Sequence, residues 1–273
     1  MKSIFCHKAK AVPPAANTLR FEFSNHSYSP VIAGVGSSGT WKRCEFMPGN
    51  VWDWTRSGTT FTTSFQNAFT DSGNLVSVIA AGDTSSVTNM SFLFRGCSSL
   101  VSVTLFDTSN VTDVSSMFRS CTSLTSVPLF DTSNVTNMND AFNGCTSLTS
   151  VPLFDTSKVT GMNGSFNNCV SLTSVPLFDT SSTTNTSFMF RGCTSLTSVP
   201  LFDTSNVTNM GSMLNGCTKV EGGSLALYQQ ASTQETPPTS HTDTFKNCGI
   251  DTTTGAAELA QIPTSWGGTK EEV

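Results

Sequence analysis

Charge is the scarcest ingredient of this 273-residue sequence: only 12% of residues are Asp, Glu, Lys or Arg, about half the usual share in a soluble domain. Tyr occurs twice and His three times. No apolar run approaches the ~18 residues needed to cross a bilayer, so membrane insertion as a helix is not expected. The net charge of −5 has the wrong sign for neutralising phosphates, which removes nucleic acid from the expected partners. His7, His26 and His241 neighbour no repeated Ser or Cys, no C-x-x-C pair could seed a zinc site, and no glycine-rich phosphate loop is present. The reading is of a protein with no catalytic residues, no metal and no cofactor. Disorder is excluded too, because 37% of the chain is hydrophobic and 20 residues are Phe. Ser, Thr, Asn and Gly take the place of charge on the surface.

What is present is a repeat. Asp83, Asp107, Asp131, Asp155, Asp179 and Asp203 stand 24 residues apart, each opening Asp-Thr-Ser. Cys97, Cys121, Cys145, Cys169, Cys193 and Cys217 keep the same interval. A fixed period of this length defines a solenoid. Three segments follow: 1–62, a β-rich N-terminal cap or attachment segment; 63–220, the solenoid; and 221–273, an irregular C-terminal cap. Seven Lys/Arg against three Asp/Glu in the first segment, and two against seven in the last, give a basic head and an acidic tail.

Within one unit, Leu148, Val151 and Leu153 follow the L-x-x-L-x-L spacing of a leucine-rich repeat, predicting a short parallel strand with these side chains inward. Val135, Met138 and Phe142 recur at three- and four-residue steps and predict a short helical turn opposite. The fold class expected is an α/β leucine-rich-repeat solenoid. Asp131-Thr132-Ser133 supplies capping or Asx-turn chemistry, and Gly144 tolerates the left-handed backbone that ends the turn. One coil cannot bury its apolar face alone, so equivalent residues must stack as columns. Phe94, Phe118, Phe142, Phe166 and Phe190, continued by Leu214, form one column. Phe106, Phe130, Phe154, Phe178 and Phe202 form another. Phe69-Thr70-Asp71-Ser72 reads as an irregular first coil with Ser72 where Cys belongs. In one unit Thr183 and Thr186 replace Val and Met, and Phe188 or Met189 is the expected filler of the space left by Thr186.

The six spaced Cys read as stacked, buried, reduced thiols, because side chains pointing in parallel rarely meet disulfide geometry. Cys6, Cys44 and Cys248 fall outside that column and their pairing is open. The Asp column reads as backbone-capping acceptors in preference to a cation site.

The segment Phe142-Asn143-Gly144-Cys145-Thr146-Ser147-Leu148-Thr149-Ser150-Val151 resembles the F-x-G-C-x-S-L-x-x-V core of BspA-type bacterial leucine-rich repeats. Phe130-Asp131-Thr132-Ser133-Asn134-Val135-Thr136-Asn137-Met138 is similar to that family's F-D-T-S-x-V-T-x-M element. The resemblance covers about residues 64–220, with a trace at Phe245-Lys246-Asn247-Cys248. It implies a non-enzymatic solenoid for adhesion or scaffolding, of the kind found in bacterial surface proteins and in phage or prophage fibre-like proteins. The opening Met1-Lys2-Ser3-Ile4-Phe5-Cys6-His7-Lys8 does not read as a secretory signal. The setting expected is therefore a virion surface, in a fibre, tail-tip or head decoration, with the bacterial cell surface as the alternative. An intracellular interaction scaffold or enzyme is the third reading. A host-surface protein or polysaccharide, other virion proteins docked through the N-terminal segment, and further copies in a homo-oligomer are the expected partners.

Positions on the helical-turn side vary from coil to coil while the strand side is monotonous. The candidate partner-binding residues lie there: Phe92, Arg95, Arg119, Asn143, Asn167, Phe188, Arg191 and Asn215. Arg offers planar, multi-donor contacts to carboxylate or phosphate. Trp41, Trp52 and Trp54 in the aromatic head either build the cap or dock onto a larger assembly.

Overall fold

A computed structural model describes residues 66–67, 69–80, 84–104 and 106–271, together with the backbone of three strands that precede them. Those strands are β1 (Thr18–Phe23), β2 (Trp41–Met47) and β3 (Val51–Arg56). With β4 (Leu75–Ala80) and β5 (Ser102–Val103) they form one sheet in the order β2-β3-β1-β4-β5. The alternating Leu19-Arg20-Phe21-Glu22-Phe23 is indeed a strand, antiparallel to both β3 and β4. β4 then runs parallel to β5, so one side of the sheet is the first coil of the solenoid itself.

The expected columns are present. Successive rings Phe69, Phe94, Phe118, Phe142, Phe166 and Phe190 stack with centroids 5.4–5.7 Å apart. The second Phe column packs against the first, as in Phe142–Phe154 at 6.0 Å. Ser72 occupies the first Cys position and is buried. Thr183 satisfies its hydroxyl on the Val159 carbonyl at 2.8 Å. Beside the buried Thr186, Met189 is fully enclosed while Phe188 points outward, so Phe188 is not a filler.

The rungs differ from the expected strand-plus-helix in their local detail. Among the described residues between 84 and 220 there is no α-helix, and after β5 the parallel contacts reduce to single-residue bridges such as Asn137↔Gly161, which lie on the Val-x-x-Met side and not along the strand expected at Leu148–Leu153. The Val-x-x-Met-x-x-x-Phe segment is a chain of tight turns. A left-handed residue sits in the middle of each coil: Phe92, Ser116, Asp140, Gly164, Phe188 and Ser212, with φ of 54–61°. That conformation interrupts an α-helix, and it sends alternate amides to different partners. Ala141, Asn143 and Cys145 donate to carbonyls three residues back. Met138, Asp140, Phe142 and Gly144 donate instead to Gly161, Asn163, Ser165 and Asn167 of the next coil, at 2.8–3.0 Å.

Leu153 is also placed differently. The Phe154 amide donates to the Pro152 carbonyl at 3.0 Å, a three-residue turn with Leu153 at its apex. The apex side chain is thrust outward and is 60% exposed, while Leu148 and Val151 face the core as expected.

At the far end the ladder runs past 220. Met210, Ser212, Leu214 and Gly216 donate to Ser240, Thr242, Thr244 and Lys246, so 240–249 is a further rung reached after an insertion. The insertion carries α1 (Ser224–Thr233); the side chains of Gln230 within it and of Gln234 just after it donate to the Phe202 and Thr204 carbonyls. Helix α2 (Thr253–Leu259) is capped by the Thr252 hydroxyl, and its Glu258 accepts from the Ser224 hydroxyl and the Leu225 amide at the start of α1. Trp266 closes the stack, edge-on to Tyr228 and tilted against Phe245.

Candidate functional site

The interior holds the groups that carry reactive chemistry elsewhere, and their surroundings silence them. Each spaced Cys thiol donates to a Phe carbonyl of the preceding coil, as Cys145 to Phe118 and Cys169 to Phe142, both at 3.1 Å. All six are free and buried, and Cys248, left open by the sequence, extends the column as a seventh buried free thiol. Burial pushes Cys97, Cys169 and Cys248 up to about 12, so no thiolate nucleophile forms near neutrality. Cys6 and Cys44 lie outside the described side chains. The Asp column behaves as a set of turn acceptors: Asp131 Oδ1 takes the Ser133 amide at 3.0 Å and its hydroxyl at 2.7 Å. The Ser hydroxyl and amide hold Asp131, Asp155 and Asp179 below the usual carboxylate range. Among the described residues, no group of three His, Cys, Asp or Glu side chains could hold a metal ion, and no helix is long and apolar enough to cross a membrane.

The variable residues come together on the turn face. Backbone bonds join their column rung by rung. Gly96 donates to the Arg119 carbonyl, Ser120 to Asn143, Gly144 to Asn167, Asn168 to Arg191 and Gly192 to Asn215, all at 2.7–2.8 Å. Arg95, Arg119, Asn143, Asn167, Arg191 and Asn215 therefore form one continuous stripe. Arg95 and Arg191 are exposed. Their guanidinium carbons lie 5.8 Å and 5.7 Å from the ring centres of Phe92 and Phe188, within cation–π reach. Between these two clamps the stripe is polar. Arg119 reaches Asp140 Oδ2 at 3.7 Å, and Asn143 donates to Asp140 Oδ1 at 2.7 Å. The Asn167 Oδ1 is buried with no hydrogen-bond partner.

The Phe residues of the clamps occupy the left-handed position, φ 59° and 58°. Ordinary turn residues Ser, Asp and Gly fill the same position in the other coils. A bulky aromatic there is strained, and Phe188 returns little packing, being 39% exposed. The sequence pointed to these residues only through their variability; the strain could not be read from it. The Trp41, Trp52 and Trp54 backbones lie in β2 and β3, where Phe46 pairs with Trp52 and Arg43 with Trp54; their side chains lie outside the described residues. The exposed row Leu129, Leu153, Leu177 and Leu201 was missed, because the repeat spacing assigned it to the core.

The 24-residue coils, their inward Leu-x-x-Val and stacked Phe columns, and a parallel ladder define the class: a leucine-rich-repeat solenoid. The chain belongs to the family described as "Mycoplasma protein of unknown function, DUF285", which matches residues 41–150 and 125–226. Among solved structures it is similar to a leucine-rich repeat protein of T. pallidum (TpLRR), at 21% identity over 64% of this chain and 78% of that one, with a TM-score of 0.45. No curated protein matches.

Proposed function

We propose that this chain is a non-enzymatic binding protein displayed at a surface, and that it engages its partner through the turn-face stripe from Phe92 to Asn215. The observation that carries this reading is the pair of half-exposed Phe–Arg clamps held in a strained backbone. Strain at a solvent-facing position is retained where it presents a side chain to something else. The two clamps are four coils apart, roughly 20 Å at the ladder spacing of about 4.8 Å. That spacing suits an extended surface polymer or protein bearing carboxylates or phosphates, bound by several weak contacts multiplied by copy number. Virion display in a fibre, tail-tip or head decoration, contacting a host-surface protein or polysaccharide, is the setting drawn from the repeat's wording. The family's description through mycoplasma proteins favours a second reading, a bacterial cell-surface adhesin. Recovery of the chain from purified virions supports the first, and from a cell-envelope fraction the second.

The binding claim is tested by splitting stability from attachment. Replacing Phe92 and Phe188 with Gly relieves the left-handed strain, so each change leaves stability unchanged or raises it by about 1 kcal/mol. The same double variant loses adsorption to host or target cells. Wild-type adsorption by a fully folded double variant overturns the reading.

A further inference from the structure

The opposite face of the solenoid carries a second arrangement that the turn-face reading does not use. Leu129, Leu153, Leu177 and Leu201 project from successive coils with 53–60% of their surface exposed. Single exposed leucines are ordinary, but a contiguous row on adjacent rungs is a docking surface in a soluble protein. Carboxylates edge the row. Leu129 and Leu153 share a surface notch with Asp131 and Asp155, and Leu177 and Leu201 share another with Asp179 and Asp203. Asp131, Asp155 and Asp179 each spend Oδ1 on the Ser two residues on, and the residue as a whole remains exposed. Lys158 is the nearby cation, and its Nζ is already engaged with Asn134 Oδ1 at 2.8 Å.

We propose that this Leu/Asp face docks a basic amphipathic α-helix of a partner protein, its apolar stripe on the leucine row and its flanking Lys or Arg on the Asp column. Sign of charge decides against an acidic partner, and a second copy of this chain would bring another acidic edge. Backbone chemistry decides for a helix. A row of leucine side chains offers no hydrogen-bond partners to the amides and carbonyls of an extended segment laid along it, whereas a helix satisfies its own backbone. Four rungs at about 4.8 Å span roughly 14 Å, which three helical turns of about 5.4 Å cover.

The test uses the full chain and two fluorescein-labelled synthetic helices of about 18 residues, both with one leucine stripe, flanked in one by Lys and in the other by Glu. Fluorescence anisotropy is expected to register the Lys-flanked peptide, with affinity falling about tenfold between low and moderate salt. The Glu-flanked peptide binds at least tenfold more weakly. The L129S/L153S/L177S/L201S variant loses at least tenfold. The D131N/D155N/D179N variant loses several-fold and flattens the salt dependence. Asn keeps the Oδ1 acceptor that the turn requires, so this variant stays informative if the leucine variant misfolds. A control, S126A/S150A/S174A on the neighbouring Ser column, binds like the parent. Equal binding of the two peptides, or unchanged binding by the D131N/D155N/D179N variant, overturns the proposal. So does a parent that sediments as a dimer, ignores both peptides and becomes a monomer on leucine replacement, because the face is then a contact between copies.

Discussion

The two long faces of each coil are joined to their neighbours by opposite means. On the turn face, alternate amides from Met138 to Gly144 all reach the next coil. On the Pro-Leu face, Pro152 has no N–H to give, and a single longer backbone bond, Thr173 to Thr149 at 3.2 Å, crosses nearby. Side chains there supply the missing connections. The buried hydroxyls of Thr108, Thr132, Thr156 and Thr180 donate to the Asp131, Asp155, Asp179 and Asp203 carbonyls of the next coil at 2.7–2.8 Å. Where the backbone binds coil to coil, the side chains are released and vary, giving Ser116, Asp140, Gly164 and Phe188 in one column. Where side chains must do the joining, the sequence Val-Pro-Leu-Phe-Asp-Thr-Ser repeats unchanged at 127, 151, 175 and 199. Variability in a solenoid thus marks the face whose cohesion is main-chain, and that is where a binding surface can diversify without cost to the stack.

The largest effect expected is alkaline unfolding of the whole ladder, because it acts on every turn-face rung together. In the unfolded chain the thiols ionise near 9, while burial holds Cys97, Cys169 and Cys248 up to about 12. The fold prefers the protonated thiol. Its contribution is complete below pH 9 and is lost as pH rises from 9 towards 12. Melting temperature followed by calorimetry should drop steeply over that window, and thiol alkylation should start only as unfolding does. A flat profile between pH 9 and 11 would mean that the thiols are not sealed in the stack.

Next in size, Phe142→Ala should cost about 3–5 kcal/mol in denaturant unfolding, as for other buried aromatics, against under about 0.5 kcal/mol for Asn143→Ser beside it. Similar losses for the two variants would undo the division between column and stripe. The comparison of faces is sharpened by two Thr→Val exchanges of equal volume. Thr156→Val leaves the Asp179 carbonyl without its buried donor and should cost about 1–3 kcal/mol. Thr136 is exposed and sits on the amide-bonded face, so Thr136→Val should cost a few tenths of a kcal/mol. The triple exchange R95S/R119S/R191S should change stability by less than about 1 kcal/mol in total, the smallest loss per coil-spanning change, while weakening attachment; unchanged adsorption would move the binding site off the turn face.

These contrasts also explain what the sequence made legible. The period, both Phe columns, the thiol column and the Asp turns recur at identical spacing because each is buried or hydrogen-bonded once per coil. Leu153 misled because its spacing is that of a core position, and only the turn closed by Pro152 and Phe154 turns it out. The supposed helical turn misled because Ser116, Asp140 and Phe188 take a left-handed backbone that their identities do not announce. Cys248 was obscured by the insertion of α1, which breaks the period without breaking the ladder. The stripe residues were legible as variable positions, whereas their pairing into Phe–Arg clamps needed the stacking of rungs in space.

The coil-to-coil bonding has a mechanical consequence. Because each rung is fastened to its two neighbours and to nothing more distant, a pull between the chain's ends loads the interfaces in series and the weakest one yields first. Each coil of 24 residues that peels away releases roughly 80 Å of slack at about 3.3–3.6 Å per residue, and the force relaxes before the next coil is strained. A rod built this way absorbs a jerk in instalments, paying out line under tension and rewinding when the load is gone.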